Sequence, residues 1–435
     1  MSNNMFKSNF NFNFNFNFKS NFKSILSMPE LNITSSTEFM SIASLINNNL
    51  SKLMMDNYMN KESQLTNYVS SPFSLLSALC MLMSGLDNES LEEIINALKL
   101  KNIDLNEIII EWVELNNYIN QTQTTFNQVL YLDQLEIKSE YEKLINTVGN
   151  LTNFNKFDTS NLVQTINNKI NTITKGNIQN LLSNTDINSN TIIAIINAIH
   201  FEGQWKFNFE LPNTTFNIFY GLNEQQNMSF MNMNDEYFRY FKSNTYHMIE
   251  LDYLSSNNSK SDDLNSNNSE LDNSILNYLR SNNLKSDYAF GIILPHNIKS
   301  LPIIPTFNEL INNIDNSSFE MLKLSIPKFT FETEIDLIPM FKSMGINKIF
   351  DSADVNNMMT QSEQNIYIST IKQKAKITLT ENGTTASAAT VMTTMIESCM
   401  CVKQKKSIEF KANHPFSFYI RNKSTNTLIF NGIYC

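Results

Sequence analysis

The chain has 435 residues, a net charge of −10 and 42% hydrophobic residues. This length and apolar content allow one large domain with a sizeable core. The negative charge argues against a nucleic-acid-binding protein, because such proteins carry a basic patch. No apolar run reaches the ~18 residues of a transmembrane helix. We therefore expect neither a nucleic-acid partner nor a membrane partner.

The cysteines and histidines offer no recognisable reactive site. Four cysteines are too few for a disulfide framework in so long a chain, and Cys399 and Cys401 alone do not complete a structural zinc site. The four histidines lie in no catalytic motif, and the sequence contains no phosphate-binding glycine loop. The composition predicts free thiols, no metal, no cofactor and no enzymatic activity.

The N-terminal segment alternates phenylalanine with asparagine, as in NFNFNFNFNF (residues 9–18). We interpret residues 1–28 as a disordered low-complexity tail and residues 29–435 as a single domain. The tail lacks the continuous apolar core of a secretory signal. That favours a cytoplasmic protein, with export by an unconventional route as the alternative.

The first half of the chain has mainly helical patterns. Apolar spacing predicts a helix over residues 37–55, and further helices over 90–100, 104–119 and 160–173. The segment SSPFSLLSALCMLMSG (70–85) predicts a helix that Ser71 caps, Pro72 begins and Gly85 ends. Because this segment is apolar nearly all round, we expect the helix to be central.

The second half has mainly strand patterns. TIIAIINAIHFEGQW (191–205) is β-rich and almost uninterruptedly apolar, which indicates a buried strand. Strands are also predicted within 227–254, 288–295, 322–337, 366–380 and three segments after residue 406, with a short helix that Gly345 ends. Residues 255–287 are rich in Ser, Asn and Asp and indicate a polar insertion loop. Early helices followed by late strands predict an α+β fold.

Five segments, in matching order and at matching spacing, resemble the serpin family. They are NYVSSPFSLLSAL (67–79), INNKINTITKGNI (166–178), NAIHFEGQWKFNF (197–209), SIPKFTFETEIDLIPMFKSMGINKIF (325–350) and FKANHPFSFYIR (410–421). The resemblance implies three β-sheets with eight or nine helices, and an exposed reactive-centre loop that rises from a five-stranded central sheet. It also implies that the protein inhibits a serine endopeptidase as a suicide substrate, trapping the protease as an acyl-enzyme when the cleaved loop inserts into that sheet.

The segment ENGTTASAAT (381–390) resembles the serpin hinge, E-E-G-T-E-A-A-A-A-T, and we assign residues 381–409 to the hinge and reactive-centre loop. The hinge residues that the resemblance implies are Glu381, Gly383, Thr384, Ala386, Ala388 and Thr390. Successive side chains of a strand point to opposite faces, and the family's register implies that alternate residues from Thr384 onward face the interior of the sheet. These inward residues are uncharged, and a buried charge there would be costly.

Counting the family's usual loop length from Glu381 places the reactive bond between Glu397 and Ser398. Glu397 then selects a protease that cleaves after acidic residues. In a shifted register, Met395 or Met400 would instead suit a chymotrypsin-like or elastase-like protease.

Five further residues match positions that control the opening of the family's central sheet: Ser71, Ser74, Asn197, Trp205 and Gln373. Gln373 stands where the family usually has a histidine; it can hydrogen-bond across the gap but does not titrate. Lys169, Asp252 and Ser417 are other departures from the family pattern. The alternatives are a non-inhibitory serpin, acting as a chaperone, carrier or storage protein, and an inhibitor of a cysteine protease. We expect a monomer.

Overall fold

The computed structural model describes residues 41–61, 65–254, 287–360, 365–384 and 407–435. The predicted tail (1–28), the predicted insertion (255–287) apart from its last residue, and the predicted loop from residue 385 to residue 406 lie outside the described residues. The boundaries of the tail and of the single domain stay predictions.

The described residues form eight α-helices. They are α1 (Ile42–Lys61), α2 (Pro72–Met83), α3 (Asn88–Ala97), α4 (Leu105–Asn120), α5 (Ser139–Val148), α6 (Thr159–Ile173), α7 (Phe307–Asp315) and α8 (Ile338–Ser343). None of these helices is both long and apolar enough to span a membrane.

Helix α2 lies at the centre of the molecule, as its sequence predicts. All of its residues are buried, and it packs against α1, β4 and β16, whose strands are given below. Pro72 is its first residue, and the backbone N–H of Ser74 donates to the side-chain oxygen of Ser71 at 3.1 Å. This capping bond satisfies one of the donors that a helix start leaves free.

The described residues also form sixteen strands. They are β1 (Tyr68–Ser70), β2 (Thr124–Leu132), β3 (Asn150–Phe154), β4 (Ile193–His200), β5 (Gly203–Gln204), β6 (Thr215–Tyr220), β7 (Gln225–Lys242), β8 (Tyr246–Asp252), β9 (Tyr288–Pro295), β10 (Ser318–Pro327), β11 (Phe329–Asp336), β12 (Ile368–Thr380), β13 (Gly383–Thr384), β14 (Ile408–Lys411), β15 (Phe416–Asn422) and β16 (Thr427–Tyr434).

The central sheet has five main strands in the order β3-β2-β4-β12-β11. Strands β4 and β12 run parallel and are paired from Ile193 opposite Ile368 to Ile199 opposite Ala375. We call this line of pairing the seam, and its end at Ala375 the top. Above the top, the two-residue strands β13 and β5 extend the sheet, because β13 pairs with β12 on one side and with β5 on the other.

The second sheet has the order β1-β16-β15-β9-β8-β7-β10-β14, with β6 paired to β7. It combines two of the three sheets that the resemblance implies, because the 18-residue strand β7 pairs with β6 and β10 along its length and with β8 near its end. At Asp235, β7 has a φ of +57°, and the register with β10 shifts nearby. The buried side chains of both sheets and of α2 form the main core.

One predicted strand is two strands. The sequence predicts a single strand over residues 322–337, but Lys328 separates β10, which pairs with β7 and β14, from β11, which pairs with β12. The sequence does not reveal this break, because the two-residue alternation of polar and apolar side chains continues through Pro327 and Lys328. The chain nevertheless passes from one sheet to the other at this point. The helix that Gly345 ends is confirmed as α8, and the α+β class is confirmed.

Candidate functional site

The hinge begins in a tight turn at the top of the central sheet. Strand β12 ends at Thr380, Glu381 and Asn382 form the turn, and β13 returns alongside β12 with Thr384 opposite Leu379. Leu379 pairs with Phe329 of β11 on its other edge, so β13 lies on the side of β12 that faces β4. The hinge residues Gly383 and Thr384 are therefore strand residues directly above the seam.

Gly383 is the residue that the turn requires. Its φ is +146°, a region that L side chains rarely adopt, and a Cβ atom at this position would collide with the carbonyl oxygen of Gly203 on β5. A side chain at this position of the hinge would therefore be strained by the backbone conformation and blocked by β5.

Glu381 is anchored on three sides. Its carboxylate accepts a hydrogen bond from the Thr214 hydroxyl at 2.8 Å and pairs with the Lys328 ammonium at 2.9 Å, and its carbonyl oxygen accepts from the Phe209 N–H at 3.0 Å. Burial by itself would raise the pKa of Glu381, but the hydrogen bonds and the charge of Lys328 outweigh burial and hold the pKa below its ordinary value. The hinge thus begins from a fixed ionised residue.

Trp205 lies beside the hinge turn at the top of the central sheet. Its indole N–H donates to the carbonyl oxygen of Thr380 at 2.9 Å, and its backbone N–H donates to that of Asn382 at 3.0 Å. The ring stacks on Tyr253 with centroids 4.6 Å apart. Trp205 therefore holds the turn on both sides of Glu381, through the carbonyl oxygens of Thr380 and Asn382.

The polar residues predicted at the sheet opening are brought together behind the seam. Asn197 of β4 and Gln373 of β12 lie directly opposite each other and are fully buried. The Gln373 side chain accepts from the Ser71 N–H at 3.0 Å and donates to the Ser71 carbonyl oxygen at 2.8 Å. Gln373 therefore links β12 to Ser71, the residue that caps the start of α2.

Asn197 turns towards β2. Its amide N–H donates to Asn127 at 2.7 Å, and Asn127 donates in turn to Asn116 at 3.1 Å. The Oδ1 atom of Asn197 is buried without a hydrogen-bond partner. The hydrogen bonds that the structure shows for Gln373 and Asn197 thus point away from the seam, whereas the sequence suggested that Gln373 could bond across it.

Residues 175–192, which we call the strap, cross the outer face of the seam. At the top, Lys175 pairs with Glu202 at 2.6 Å. Further down, Lys374 of β12 donates to the Gln179 carbonyl oxygen at 2.9 Å, and Lys372 pairs with Asp186 at 2.8 Å. The strap is therefore tied to β12 through both lysines, and to Glu202, which follows the end of β4.

The residues that depart from the family pattern each have partners. Lys169 donates to Asn150 at 2.8 Å, Asp252 pairs with Lys423 at 2.8 Å, and the Ser417 hydroxyl donates to the carbonyl oxygen of Ile303. None of the three contacts the hinge residues in these interactions. Within the described ranges, no group of three or more His, Cys, Asp or Glu side chains is placed to hold a metal ion.

Several predicted site residues lie outside the described residues, namely Ala386, Ala388, Thr390, Glu397 and Ser398. Their roles stay predictions. Sequence reasoning missed the residues whose side chains bond hinge side chains, among them Thr214, Lys328 and Tyr253. No local pattern marks them, because each meets the hinge only through contacts distant in the sequence.

Known proteins resemble this chain over most of its length. A sequence model of the family described as serpin (serine protease inhibitor) matches residues 46–435. An uncharacterized serpin-like protein of Acanthamoeba polyphaga mimivirus is 27% identical over 377 residues, which are 84% of this chain and 83% of that protein. An uncharacterized serpin-like protein of Methanosarcina mazei is 29% identical over 387 residues, 84% of this chain and 80% of that protein.

Two solved structures share the fold. Native protease nexin-1 with heparin has a TM-score of 0.72 at 22% identity and covers 90% of this chain and 98% of its own. The thermophilic serpin tengpin in its native state has a TM-score of 0.72 at 23% identity, with 94% and 96% covered. The likeness confirms the predicted serpin fold, and the family description implies a function of the protease-inhibitor type. The chain belongs to the serpin (serine protease inhibitor) family.

Proposed function

We propose that the protein inhibits serine endopeptidases as a suicide substrate. The observation that carries this proposal is the position of Gly383 and Thr384, which lie as a two-residue strand between β12 and β5, directly above the closed seam. Insertion of the reactive-centre loop into a sheet is known for the family. The geometry of this chain supports a start of insertion at the top of the seam.

The register of β13 extends naturally down the seam. Thr384 lies opposite Leu379 in antiparallel pairing, so each further step along the hinge meets the preceding residue of β12. Thr384 and Leu379 are both buried, which favours the inward face for alternate hinge residues. In this register the next inward pairs are Ala386 with Ile377, Ala388 with Ala375 and Thr390 with Gln373.

The chemistry needs only the protease's own serine. That serine attacks the carbonyl carbon of the residue before the reactive bond, the new amino terminus leaves, and an ester joins protease and inhibitor. Insertion of the upstream arm then carries the protease away before water hydrolyses the ester. If the arm gains ~15 backbone hydrogen bonds at ~0.5–1.5 kcal/mol each, the driving free energy is of order 10 kcal/mol. That is comparable with the stability of a whole domain.

We propose the bond between Glu397 and Ser398 as the reactive bond. A carboxylate at this position suits a protease whose specificity site carries a basic or polar donor, so the target is an endopeptidase that cleaves after acidic residues. Met395 and Met400 are the alternatives, with chymotrypsin-like or elastase-like targets. We place the protein in the cytoplasm, with unconventional export as the alternative.

The test is incubation with a panel of acidic-specific, chymotrypsin-like and elastase-like serine proteases and with a cysteine protease. We expect a protease–inhibitor complex that survives SDS, and a released C-terminal peptide that begins at Ser398 by mass spectrometry. Thr384→Arg should convert the inhibitor into a substrate, because a charge would enter a buried position, whereas Thr384→Ser should not. Cleavage without any complex across the whole panel would rule out inhibition and favour a non-inhibitory serpin.

A further inference from the structure

Two hydroxyl groups that are far apart in the sequence meet at the hinge. The phenolic oxygen of Tyr253 is hydrogen-bonded to the side-chain oxygen of Thr384, and both residues are only 1% exposed. Tyr253 follows β8, in the second sheet, whereas Thr384 is the second residue of β13 in the central sheet. The contact therefore joins the hinge to a part of the molecule that does not belong to the central sheet.

The Tyr253 ring is held rigidly. It stacks on Trp205 with centroids 4.6 Å apart and meets Phe201 edge-on at 4.9 Å. Backbone pairing between Trp205 and Tyr253 fixes the same neighbours. Burial raises the pKa of Tyr253, so the hydroxyl keeps its proton at neutral pH. A neutral hydroxyl thus stands at a fixed place above the seam.

We propose that Tyr253 is a positioning residue: it holds Thr384 at the top of the seam and so fixes the register in which the rest of the hinge inserts. The inference deepens the proposed function and rests on it. Among the described residues, β13 pairs with β12 at only Gly383 and Thr384, and a pairing of two residues by itself specifies register weakly. A slip of one residue would turn every inward side chain outward.

The hydroxyl contact also excludes slips that the alternation of faces cannot exclude. A slip of two residues keeps each side chain on its own face but moves the Thr384 oxygen by about 6.6 Å along the strand. The hydrogen bond to a fixed Tyr253 would then be lost. The contact therefore selects one register among those that satisfy the pattern of small uncharged residues.

This role separates two kinetic quantities. The protease first recognises the distant reactive bond, so removal of the Tyr253 hydroxyl should leave the association rate constant unchanged. Without this hydroxyl, insertion of the cleaved loop would begin later or in mixed registers. Water would then have more time to hydrolyse the acyl-enzyme ester before the protease is carried away. The stoichiometry of inhibition should therefore rise.

The decisive variant is Tyr253→Phe, which removes one oxygen and keeps the stacked ring. Tyr288→Phe is the matched control, because Tyr288 also packs edge-on against Phe201, at 5.3 Å, and its hydroxyl also bonds a threonine, Thr122, at 2.7 Å. Amide hydrogen exchange over residues 379–384 should be about fivefold faster in Tyr253→Phe, as expected for the loss of one buried hydrogen bond. The Tyr288→Phe variant should leave that exchange and the stoichiometry unchanged.

Substitutions of Thr384 complete the design. Thr384→Val should behave like Tyr253→Phe, Thr384→Ser should retain wild-type behaviour, and Tyr253→Phe combined with Thr384→Val should be no worse than either alone. Unchanged exchange and unchanged stoichiometry in Tyr253→Phe would overturn the inference.

The inference and the proposed function fail in different ways. If the wild type forms no complex with any protease, the proposed function fails. The role of Tyr253 is then decided by hydrogen exchange and by the rate at which the melting temperature rises after cleavage of the loop by any protease. If Tyr253→Phe changes neither, the inference fails independently.

Discussion

The Glu381 carboxylate and the Lys328 ammonium lie 2.9 Å apart, and together they tie the end of β12 to the point at which the chain passes from β10 to β11. The hinge thus begins at Glu381, whose negative charge is balanced by Lys328 at the junction of the two sheets. Thr214 completes the site by donating to the other carboxylate oxygen.

Removal of the Glu381 charge should loosen the hinge. In Glu381→Gln, Lys328 loses its partner, and we expect a loss of about 2 kcal/mol, less than for a fully buried pair because Lys328 is a third exposed. Urea unfolding measures the loss. Glu89→Gln is the control, because Glu89 is 68% exposed in its pair with Lys348, and this substitution should have little effect on stability. Equal losses in the two variants would contradict the anchor.

Gly383 should resist substitution more strongly than Gly345. Both have positive φ, +146° at Gly383 and +88° at Gly345. A Cβ atom added at Gly383 would collide with the backbone of β5, whereas one added at Gly345 would have no atom within 4 Å apart from its chain neighbours. Gly345→Ala should cost about 1 kcal/mol through its backbone conformation alone. Gly383→Ala should in addition displace β13, which hydrogen exchange over residues 379–384 detects. Unchanged exchange there would show that β13 tolerates a side chain.

Gln373 should stabilise the seam through Ser71. Gln373→Leu leaves the N–H and the carbonyl oxygen of Ser71 without these partners, at about 1–3 kcal/mol for each buried group. Gln373→His should lose less at neutral pH, but its stability should decline as the pH falls below about 6.5. Burial keeps the imidazole neutral in the folded chain, whereas in the unfolded chain it takes up a proton, which favours unfolding. Thermal unfolding between pH 5 and pH 8 compares the two variants. A wild type with the same decline would indicate another titrating group.

The buried pair of Glu250 and Arg421 should make the protein sensitive to acid. Glu250 accepts from Arg421 at 2.6 and 3.0 Å and from the Tyr419 hydroxyl at 2.8 Å. Burial would raise the pKa of Glu250, but Arg421 and these hydrogen bonds outweigh burial and lower the pKa from its ordinary value of 4.5. Because the pKa is lower in the folded chain than in the unfolded chain, the stabilisation is fully present above about pH 4.5 and is lost as the pH falls through the folded value.

The measurement is the free energy of unfolding between pH 7 and pH 3 for the wild type and for Glu250→Gln. The wild type should lose stability more steeply below pH 4.5, because only its carboxylate must be protonated on unfolding. Equal slopes would show that other carboxyl groups determine the acid response.

Local sequence patterns predicted those parts of the fold that depend on neighbours in the chain. The cap at Ser71, the fully buried strand β4 and the helix end at Gly345 each depend on a few consecutive residues. The break at Lys328 was hidden because the strand period continues through it. The contacts of Tyr253 and Lys328 with the hinge were also beyond prediction, since they depend on how two sheets pack rather than on any local pattern. Resemblance to the family located Glu381, Trp205 and Gln373, but not the direction of the hydrogen bonds that Gln373 makes.

The parallel pairing of β4 with β12 has a thermodynamic consequence. Parallel ladders are slightly less stable per residue than antiparallel ladders. A strand that continued from β13 between these two would run antiparallel to both, as β13 already does to β12 and β5. The sheet would exchange one slanted ladder for two perpendicular ones and gain a full strand of paired backbone. In the proposed mechanism, the native fold is therefore a kinetically protected state, and a single peptide-bond cleavage gives the chain access to a more stable arrangement of the same sheet.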